Sequence, residues 1–349
     1  MNQKFVELGI DDGLKSYLEG LGYRIKKVFP SESYNCTFLV EHDRYSGLRV
    51  VKATSIDHWT KLYNQSEWIR EKKNTGMVPK VELVSQSSQF CHYEMEYLDD
   101  AENLFSFIHK SSLHQIEKTF DRVFTFLKDH VHTSSPLEIR DDGARDYIHR
   151  KILHKLDESE AHLPLLAKFT RQQTVSINGT DYCGPRRLVE ALLNDAAALR
   201  KVATFRPSFL HGDLTVENIL ISPSGPYLLD PNDENILSSR ALDYAKLYQS
   251  LESGYEFMRL TKVLRFDEQR LDFDLEISDV YTKVFDLVQL RVQEALRPDE
   301  MDLLDFYQAT HYFRMLPYKA IFQPKIFPVY LATATVLLDR FCRSSGARV

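Results

Sequence analysis

The sequence predicts an α+β protein with a small β-rich N-terminal part and a larger, mainly helical C-terminal part. Before residue 99, β-branched and apolar residues alternate in short runs, a pattern typical of strands. From Asn103 onward, apolar residues recur at intervals of three and four, which indicates helices. The chain has 349 residues, and a single hydrophobic core stops growing at about 250 to 300 residues. We therefore predict two parts, residues 1–99 and 100–349, with the boundary near Asp99 to Ala101.

The N-terminal part is expected to hold a mostly antiparallel sheet together with helices. A first helix begins near Asp11 and Asp12, because acidic residues are common at helix starts. Strands are predicted in RIKKVF (24–29), CTFLVE (36–41) and GLRVVKATS (47–55), and a helix in DHWTKLYNQSEWIREKKNTG. A strand pair, VPKVELVSQ and FCHYEMEYLDD, follows across a turn at Ser87 and Ser88.

The C-terminal part is predicted to be helical, with one interruption. The segment TVSINGTDYC contains an Asn-Gly pair between apolar runs, which predicts a β-hairpin. The most apolar run, Ile326 to Leu338, is too short to span a bilayer and is expected to form a buried helix rather than a membrane insertion. His130 and His132 lie at the end of an amphipathic helix and are expected to be solvated or capping residues.

Composition excludes one class of partner and indicates a compartment. The net charge of −6 and isoelectric point of about 6.1 argue against a nucleic-acid-binding protein, which needs a basic face. The N-terminus shows no secretory signal pattern. The four cysteines are scattered and have no zinc-binding spacing. We expect a reduced, cytoplasmic protein.

One stretch, FLHGDLTVENILISPSGPYLLDPND, carries the chemistry for which the sequence is most informative. It places Asp213 and Asn218 in a short polar loop and Asp230 at the end of the next apolar run. Phosphoryl transfer needs a carboxylate that orients the nucleophile's proton, and an amide oxygen and a second carboxylate that hold divalent metal. The three residues have those chemistries in that order. Alternatively, they are ordinary turn formers.

The same residues carry a family resemblance. HGDLTVENIL resembles the HGDxxxxN loop of the aminoglycoside phosphotransferase and choline kinase group, and LLDPND resembles that group's metal-binding strand. The resemblance implies a two-lobed protein kinase-like fold, with Asp213 as the catalytic base, Asn218 and Asp230 as Mg²⁺ ligands, and His211 as a residue that shapes the loop. Asp230 is followed by Pro231 instead of Phe-Gly, which argues for a small-molecule kinase and against a protein kinase.

A second, looser resemblance concerns the helix that follows. DYAKLYQSL is similar to a segment of phosphotransferase-family proteins associated with bacterial surface-glycan and nucleotide-sugar gene clusters. In kinase-like folds an aspartate here anchors the backbone of the catalytic loop, which implies that role for Asp243. A plain helix N-cap is the alternative for this residue.

The resemblance also implies a nucleotide site in the N-terminal lobe. Lys52 alternates into an apolar strand, where an ammonium needs an anionic partner. It would contact the α and β phosphates and pair with Glu67, or with Glu71 one turn later; an edge-strand lysine in water is the alternative. Ser33, in the glycine-poor loop PSESYN, would face phosphate oxygens.

Backbone groups near the end of the last predicted strand of this lobe would bind the purine. The implied positions are Glu96, Tyr97 and Leu98. Side chains there do not select the base, so ATP is the expected nucleotide and GTP an alternative.

These inferences lead to an expected activity. We predict an ATP- or GTP-dependent, Mg²⁺-requiring kinase that transfers the γ-phosphoryl group to a hydroxyl of a small molecule, a sugar or glycan precursor in preference to an amine. An aminoglycoside or choline kinase is an alternative, since the acidic residues Glu217, Asp233 and Glu234 could receive a cationic substrate. A nucleotide-binding pseudokinase that acts as a regulatory or scaffold subunit is the alternative outside the enzymes.

Overall fold

The N-terminal sheet and its first helix form where the alternation of apolar residues predicts them. The computed structural model describes residues 12–30, 35–135, 143–232, 235 and 237–347. In this region the elements are α1 (Asp12–Gly20), β1 (Arg24–Phe29), β2 (Cys36–Glu41), β3 (Leu48–Ser55), α2 (Trp59–Glu71), β4 (Val81–Gln86) and β5 (Phe90–Glu96). The five strands form one antiparallel sheet in the order β1-β2-β3-β5-β4.

The two faces of this sheet carry different residues, because side chains alternate along each strand. On one face Phe38, Val40, Val51 and Ala53 pack with Leu14 and Leu18 of α1 in a buried apolar cluster. Lys52 lies between Val51 and Ala53 and therefore points to the other face, as does its cross-strand partner Tyr93. The sheet thus separates an apolar core from the face that carries the buried lysine.

A second, three-stranded sheet holds the motif-bearing hairpin. Its strands are β6 (Glu102–Asn103), β9 (Ile219–Ser222) and β10 (Gly225–Leu228), in the order β10-β9-β6. A 3₁₀ turn at Val216–Asn218 leads into β9. A β-hairpin therefore connects the polar loop that contains Asp213 and Asn218 with Asp230.

The remaining elements are mainly helices. They are α3 (Leu104–Lys110), α4 (Leu113–Phe126), α5 (Gly143–Ile148), α6 (His154–His162), α7 (Pro164–Thr170), α8 (Pro185–Asn194), α9 (Ala196–Ala203), α10 (Ala241–Leu251), α11 (Asp279–Ala295), α12 (Pro298–Met301), α13 (Leu304–Phe322) and α14 (Phe327–Ser345). Every residue of α10 is buried, and α14 confirms the predicted buried C-terminal helix. No helix in the described ranges combines the length and apolarity needed to cross a bilayer.

One four-stranded sheet interrupts the helices. It contains β7 (Thr174–Ile177), β8 (Thr180–Cys183), β11 (Lys262–Phe266) and β12 (Arg270–Asp274), in the order β11-β12-β7-β8. Asn178 and Gly179 connect β7 and β8, with φ values of 50° and 78°. Both values are positive, as a two-residue type I′ turn requires. The Asn-Gly hairpin prediction is confirmed.

The described chain divides into two compact units, and the first contains most of the predicted site. The first unit comprises residues 12–107, 211–213 and 217–232, so the HGD segment and the β9–β10 hairpin belong with the N-terminal sheet. The second comprises residues 108–210, 214–216 and those from 235 onward. The sheet-rich N-terminal region and the helix-rich C-terminal region confirm the predicted α+β class.

Candidate active site

The β9–β10 hairpin brings Asn218 and Asp230 together. Its register pairs Ile219 with Leu228, and the ladder continues by one further bond, in which the amide N of Leu229 donates to the carbonyl O of Asn218 at 2.8 Å. Asp230 is the next residue in the chain. Twelve positions apart in sequence, the two predicted metal ligands are neighbours because the strands between them pair.

A second contact joins Asn218 to the predicted base. Asn218 Nδ2 donates to the backbone O of Asp213 at 2.7 Å and to its Oδ2 at 3.1 Å. Both bonds use the amide nitrogen of Asn218, so its Oδ1 lies at the other end of the amide plane and takes part in neither. The loop therefore fixes Asp213 and Asn218 relative to each other and orients an oxygen of Asn218 away from the bond.

His211 and Gly212 give the loop its shape. Gly212 has φ of 81°, a left-handed conformation that costs glycine no steric strain. His211 is fully buried; its Nδ1 accepts from the amide N of Asp213 at 3.3 Å, and its carbonyl O accepts from the amide N of Asn232 at 2.7 Å. The ring packs edge-on against Trp68, with centroids 5.3 Å apart. His211 thus contacts both the loop and the segment after Asp230.

Lys52 and Asp230 form an ion pair. Lys52 Nζ lies 2.6 Å from Asp230 Oδ1; the lysine side chain is 6% exposed and that of Asp230 41%. Asp230 has φ of 56°, a left-handed conformation that Asp and Asn adopt more readily than most residues. Tyr93, the neighbour of Lys52 on β5, is also buried, and burial, with a smaller contribution from the Asp230 charge, raises the pKa of its hydroxyl well above the usual value. The anionic partner that a buried lysine requires is therefore the predicted metal ligand.

The predicted pairing of Lys52 with Glu67 is wrong. Glu67 Oε1 accepts from Arg70 Nη1 at 2.9 Å on the same helix, and the alternative, Glu71, is 73% exposed beside Lys72. Helical periodicity gives the reason. The residues of α2 that are buried are Leu62, Gln65, Ser66 and Ile69. Glu67 lies off that face.

Gln65 is the residue of α2 that sequence reasoning missed. It is 5% exposed, and its Nε2 donates to the carbonyl O of Pro231 at 2.8 Å. Gln65 was not predicted because its side chain is neutral, whereas the expected partner of Lys52 was an anion. The signal that would have found it is its position one turn after Leu62 and one turn before Ile69, on the apolar stripe of the helix.

The structure gives a partial view of the other predicted nucleotide contacts. Ser33 lies outside the described residues. The amide N of Glu96 donates to the carbonyl O of Lys80 at 2.9 Å, and its Oε1 accepts from the amide N of Lys80 at 2.7 Å, so Glu96 is engaged at the edge of the sheet. The carbonyl O of Leu98 accepts from Ala101 N at 3.4 Å, a distance at the weak end for a hydrogen bond. Purine binding at these positions stays a prediction.

The second unit places Asp243 beside a histidine. Asp243 is fully buried at the start of α10, and its Oδ2 lies 2.9 Å from Nε2 of His132, which is 3% exposed. Of the two expectations for His132, capping is confirmed, because it is the C-cap residue of its helix and its amide N donates to the carbonyl O of Leu127. A solvated side chain is wrong, because the imidazole is buried against Asp243. The helix that carries it ends in a π-helical turn, Leu127–Val131, and the wider turn shifts the face on which the next residues lie.

The residues present fit a magnesium ion held with phosphates. Mg²⁺ prefers oxygen ligands and is commonly held by one or two carboxylates together with substrate phosphates. Asp230 offers a carboxylate and Asn218 an amide oxygen, joined by the hairpin. Within the described residues no group of three or more His, Cys, Asp or Glu could hold a metal ion. The two side chains would contribute ligands to an ion that the phosphates also coordinate.

Comparison with solved structures identifies the fold. A protein from Haemophilus somnus 129PT assigned as a fructosamine-3-kinase is 12% identical, with a TM-score of 0.55 over 94% of this chain and 95% of that chain. Aminoglycoside phosphotransferase APH(4)-Ia is 9% identical, with a TM-score of 0.52 over 96% of this chain and 99% of that chain. A thermostable mutant of APH(4)-Ia, solved in a ternary complex with ADP and hygromycin B, gives a TM-score of 0.50 at 10% identity, over 96% of this chain and 99% of the other.

Sequence comparison adds no closer relative. No protein-family model matches the chain, and no curated protein sequence matches it either. At identities near one in ten, the structural matches show the fold alone. Over nearly its whole length, this chain has the two-lobed kinase-like fold of these solved structures.

Proposed function

We propose that this protein is a small-molecule kinase that transfers the γ-phosphoryl group of ATP, or of GTP, to a hydroxyl group. The observation that carries the proposal is the set of contacts inside the first unit that joins Lys52, Asp213, Asn218 and Asp230. Lys52 contacts Asp230, and Asp213 contacts Asn218. The two pairs are linked by the bond from the amide N of Leu229, the residue before Asp230, to the carbonyl O of Asn218. Phosphoryl transfer depends on positioning and electrostatic stabilisation, for which this set is suited.

Each residue has a distinct role in the proposed reaction. Asp213 accepts the proton of the acceptor hydroxyl and orients its oxygen toward the phosphorus, while Asn218 fixes the Asp213 carboxylate through Nδ2. Lys52 brings a buried positive charge that would place the nucleotide's α and β phosphates. Asn218 and Asp230 would hold Mg²⁺, which neutralises charge on the phosphate oxygens when bound. The reaction breaks the bond from the β–γ bridging oxygen to the γ-phosphorus and forms one from the acceptor oxygen.

For the acceptor we propose a sugar or glycan precursor. The resemblance of the DYAKLYQSL segment, on α10, to proteins of bacterial glycan gene clusters supports this class. The fold shared with a protein assigned as a fructosamine-3-kinase is compatible with it. An aminoglycoside or an amino alcohol is the competing acceptor class, and the fold shared with APH(4)-Ia is compatible with that.

The experiment is mass-spectrometric detection of phosphate transfer from ATP or GTP, with Mg²⁺, to a panel of sugars, amino alcohols and aminoglycosides. The Asp213→Asn variant keeps a side-chain oxygen that can accept from Asn218, so the fold should survive. Its turnover should fall by about 10² to 10⁴, the usual contribution of a general base. Asp57→Asn, the same change at an exposed position of the first unit, is the matched control and should leave turnover unchanged.

The outcomes separate the candidates. A phosphorylated product that disappears in Asp213→Asn and persists in Asp57→Asn would establish the kinase and its acceptor class. Equal turnover in the two variants would refute the role of Asp213. Mg²⁺-dependent nucleotide binding without a product from any acceptor would favour the pseudokinase.

A further inference from the structure

Helix α2 reaches the candidate site through two side chains that lie one turn apart. Gln65 Nε2 donates to the carbonyl O of Pro231, and Trp68 packs edge-on against His211. Pro231 follows Asp230 directly, and His211 lies two residues before Asp213. One face of a single helix thus contacts the metal-binding segment and the catalytic loop.

The hydrogen bond from Gln65 to Pro231 is buried. Gln65 is 5% exposed, and Pro231, which lacks an amide hydrogen, follows a residue in the left-handed conformation, Asp230. Two bonds lie on either side of this point: Leu229 N to Asn218 O, and Asn232 N to His211 O. The bond from Gln65 Nε2 is a contact to the backbone between them.

We propose that Gln65 is a positioning residue, which sets the Mg²⁺ affinity of the site by holding the Asp230–Pro231 backbone through its amide nitrogen. In this chain α2 therefore acts on the metal ligand through a neutral hydrogen bond to the backbone. The charged partner of Lys52 is Asp230 itself, and Glu67 on the outer face of α2 takes no part. This inference rests on the proposed function for its metal and is independent of the acceptor.

The proposal depends on the hydrogen-bond donor of Gln65, its Nε2. Substitutions that remove or restore a donor at this position therefore test it. Gln65→Met keeps the bulk of the side chain and removes the donor. Gln65→Glu keeps the shape, but the ionised carboxylate has no hydrogen to donate and its oxygen faces a carbonyl oxygen. When protonated at low pH the Gln65→Glu side chain has an O–H donor, so its defect should be rescued as the pH falls.

The first measurement is nucleotide binding by isothermal titration calorimetry across a range of Mg²⁺ concentrations. In Gln65→Met the half-saturating Mg²⁺ concentration should rise about tenfold, as expected for one buried hydrogen bond, while nucleotide affinity at saturating Mg²⁺ stays within about twofold of wild type. Gln65→Glu should show the same rise near neutral pH and a smaller one at acid pH. Glu67→Gln, an amide exchange on the same helix, is the control and should behave as wild type.

The second measurement does not depend on ligand. Hydrogen exchange of the Leu229 and Asn232 amides reports the order of the backbone on either side of Pro231. Both amides should exchange several-fold faster in Gln65→Met and at the wild-type rate in Glu67→Gln.

Failure of this inference can be distinguished from failure of the proposed function. If the wild-type protein binds no nucleotide with Mg²⁺, the proposed function fails, and the exchange rates alone decide the role of Gln65. Unchanged exchange in Gln65→Met would overturn the inference. So would an unchanged Mg²⁺ requirement in a wild-type background that binds nucleotide, or an equal loss in Glu67→Gln.

Discussion

The two side chains of the Lys52–Asp230 ion pair differ in burial. The ammonium is almost fully buried, whereas the carboxylate keeps 41% of its side-chain exposure. Removing the partner of a buried charge leaves that charge without compensation, which costs several kcal/mol. Removing the partner of an exposed charge leaves it hydrated. The two halves of one contact should therefore respond differently to substitution.

We expect Asp230→Asn to destabilise the protein by about 3 kcal/mol, because Lys52 stays buried without an anion. Asparagine adopts the left-handed backbone of position 230 as readily as aspartate, so the change isolates the charge. Lys52→Met should cost less than about 1 kcal/mol in free energy of unfolding, since Asp230 remains hydrated. Urea unfolding of both variants measures the difference; equal costs would contradict the described burial.

At this scale the sequence predicted which residues lie together in the hairpin and its loop, but not the partner of Lys52. Asp213, Asn218 and Asp230 were recognisable because phosphoryl transfer restricts the residue types and their order. The partner of Lys52 was not, because a favourable charge on the next helix, Glu67, was at hand while Asp230 lies 178 residues away. Whether a glutamate faces the site depends on the rotation of its helix about its axis, and Glu67 is one residue beyond Ser66 and two beyond Gln65, which are buried.

The β9–β10 and β7–β8 hairpins each have a glycine with positive φ at the end of the turn. Gly225 ends the turn between β9 and β10 with φ of 127°, and Gly179 ends the β7–β8 turn with φ of 78°. A β-carbon on Gly179 would meet no atom within 4 Å, so only backbone conformation opposes a side chain there. The β9–β10 hairpin, whose turn ends at Gly225, sets the register between Asn218 and Leu229.

We expect Gly225→Ala to destabilise the protein by roughly 2 kcal/mol, because this φ belongs to a region open almost solely to glycine. It should also weaken Mg²⁺-dependent nucleotide binding, since a shifted turn separates Asn218 from Asp230. Gly179→Ala should cost about 1 kcal/mol and leave binding unchanged. Thermal unfolding and nucleotide titration of both variants test this; wild-type binding by a destabilised Gly225→Ala protein would contradict the role given to the hairpin.

Elements were predicted where local pattern decides them. The alternating runs of the first sheet, the Asn-Gly hairpin and the apolar helix that begins at Phe327 all follow from neighbouring residues. The π-helical turn before His132 follows from tertiary packing instead, because nothing in FLKDHVH departs from an ordinary helix end. Its result, the buried contact between His132 and Asp243, was therefore missed.

On the scale of the whole molecule, buried carboxylates paired with arginines link stability to pH. Glu300 is fully buried; Arg240 Nη2 lies 2.6 Å from its Oε2, and the amide N of Arg297 lies 3.0 Å from the same oxygen. Burial alone would raise the pKa of Glu300, but the bonds from Arg240 and Arg297 outweigh it and lower the pKa below 4.5. Glu160 is similar: burial opposes the effect, and Arg186 lowers its pKa.

The sign of the pH dependence follows. A carboxyl whose pKa is lower in the folded than in the unfolded protein stabilises the fold fully above the unfolded value, and that stabilisation is lost as the pH falls through the folded pKa. We expect Glu300→Gln to lose about 2 kcal/mol at pH 7, as for lost hydrogen bonds to a charged group, and the deficit relative to wild type to shrink below about pH 4.5. Urea unfolding as a function of pH measures it.

Glu268→Gln is the control for that experiment. Its exposed ion pair with Lys168 should contribute less than about 1 kcal/mol at any pH. A deficit in Glu300→Gln that is the same at pH 7 and in acid would show that Glu300 stabilises the fold by its shape instead of its charge.

The packing of Trp68 on His211 makes Trp68 an intrinsic fluorescence probe of the HGD segment. The chain has two tryptophans, and the other, Trp59, lies at the first residue of the same helix beside Tyr63. In a Trp59→Phe background the indole emission would come from Trp68 alone, whose ring is 5.3 Å from the imidazole of the loop. A rearrangement of the HGD segment on adding nucleotide would then change the intensity of that emission, which stopped-flow fluorescence can follow with no dye attached.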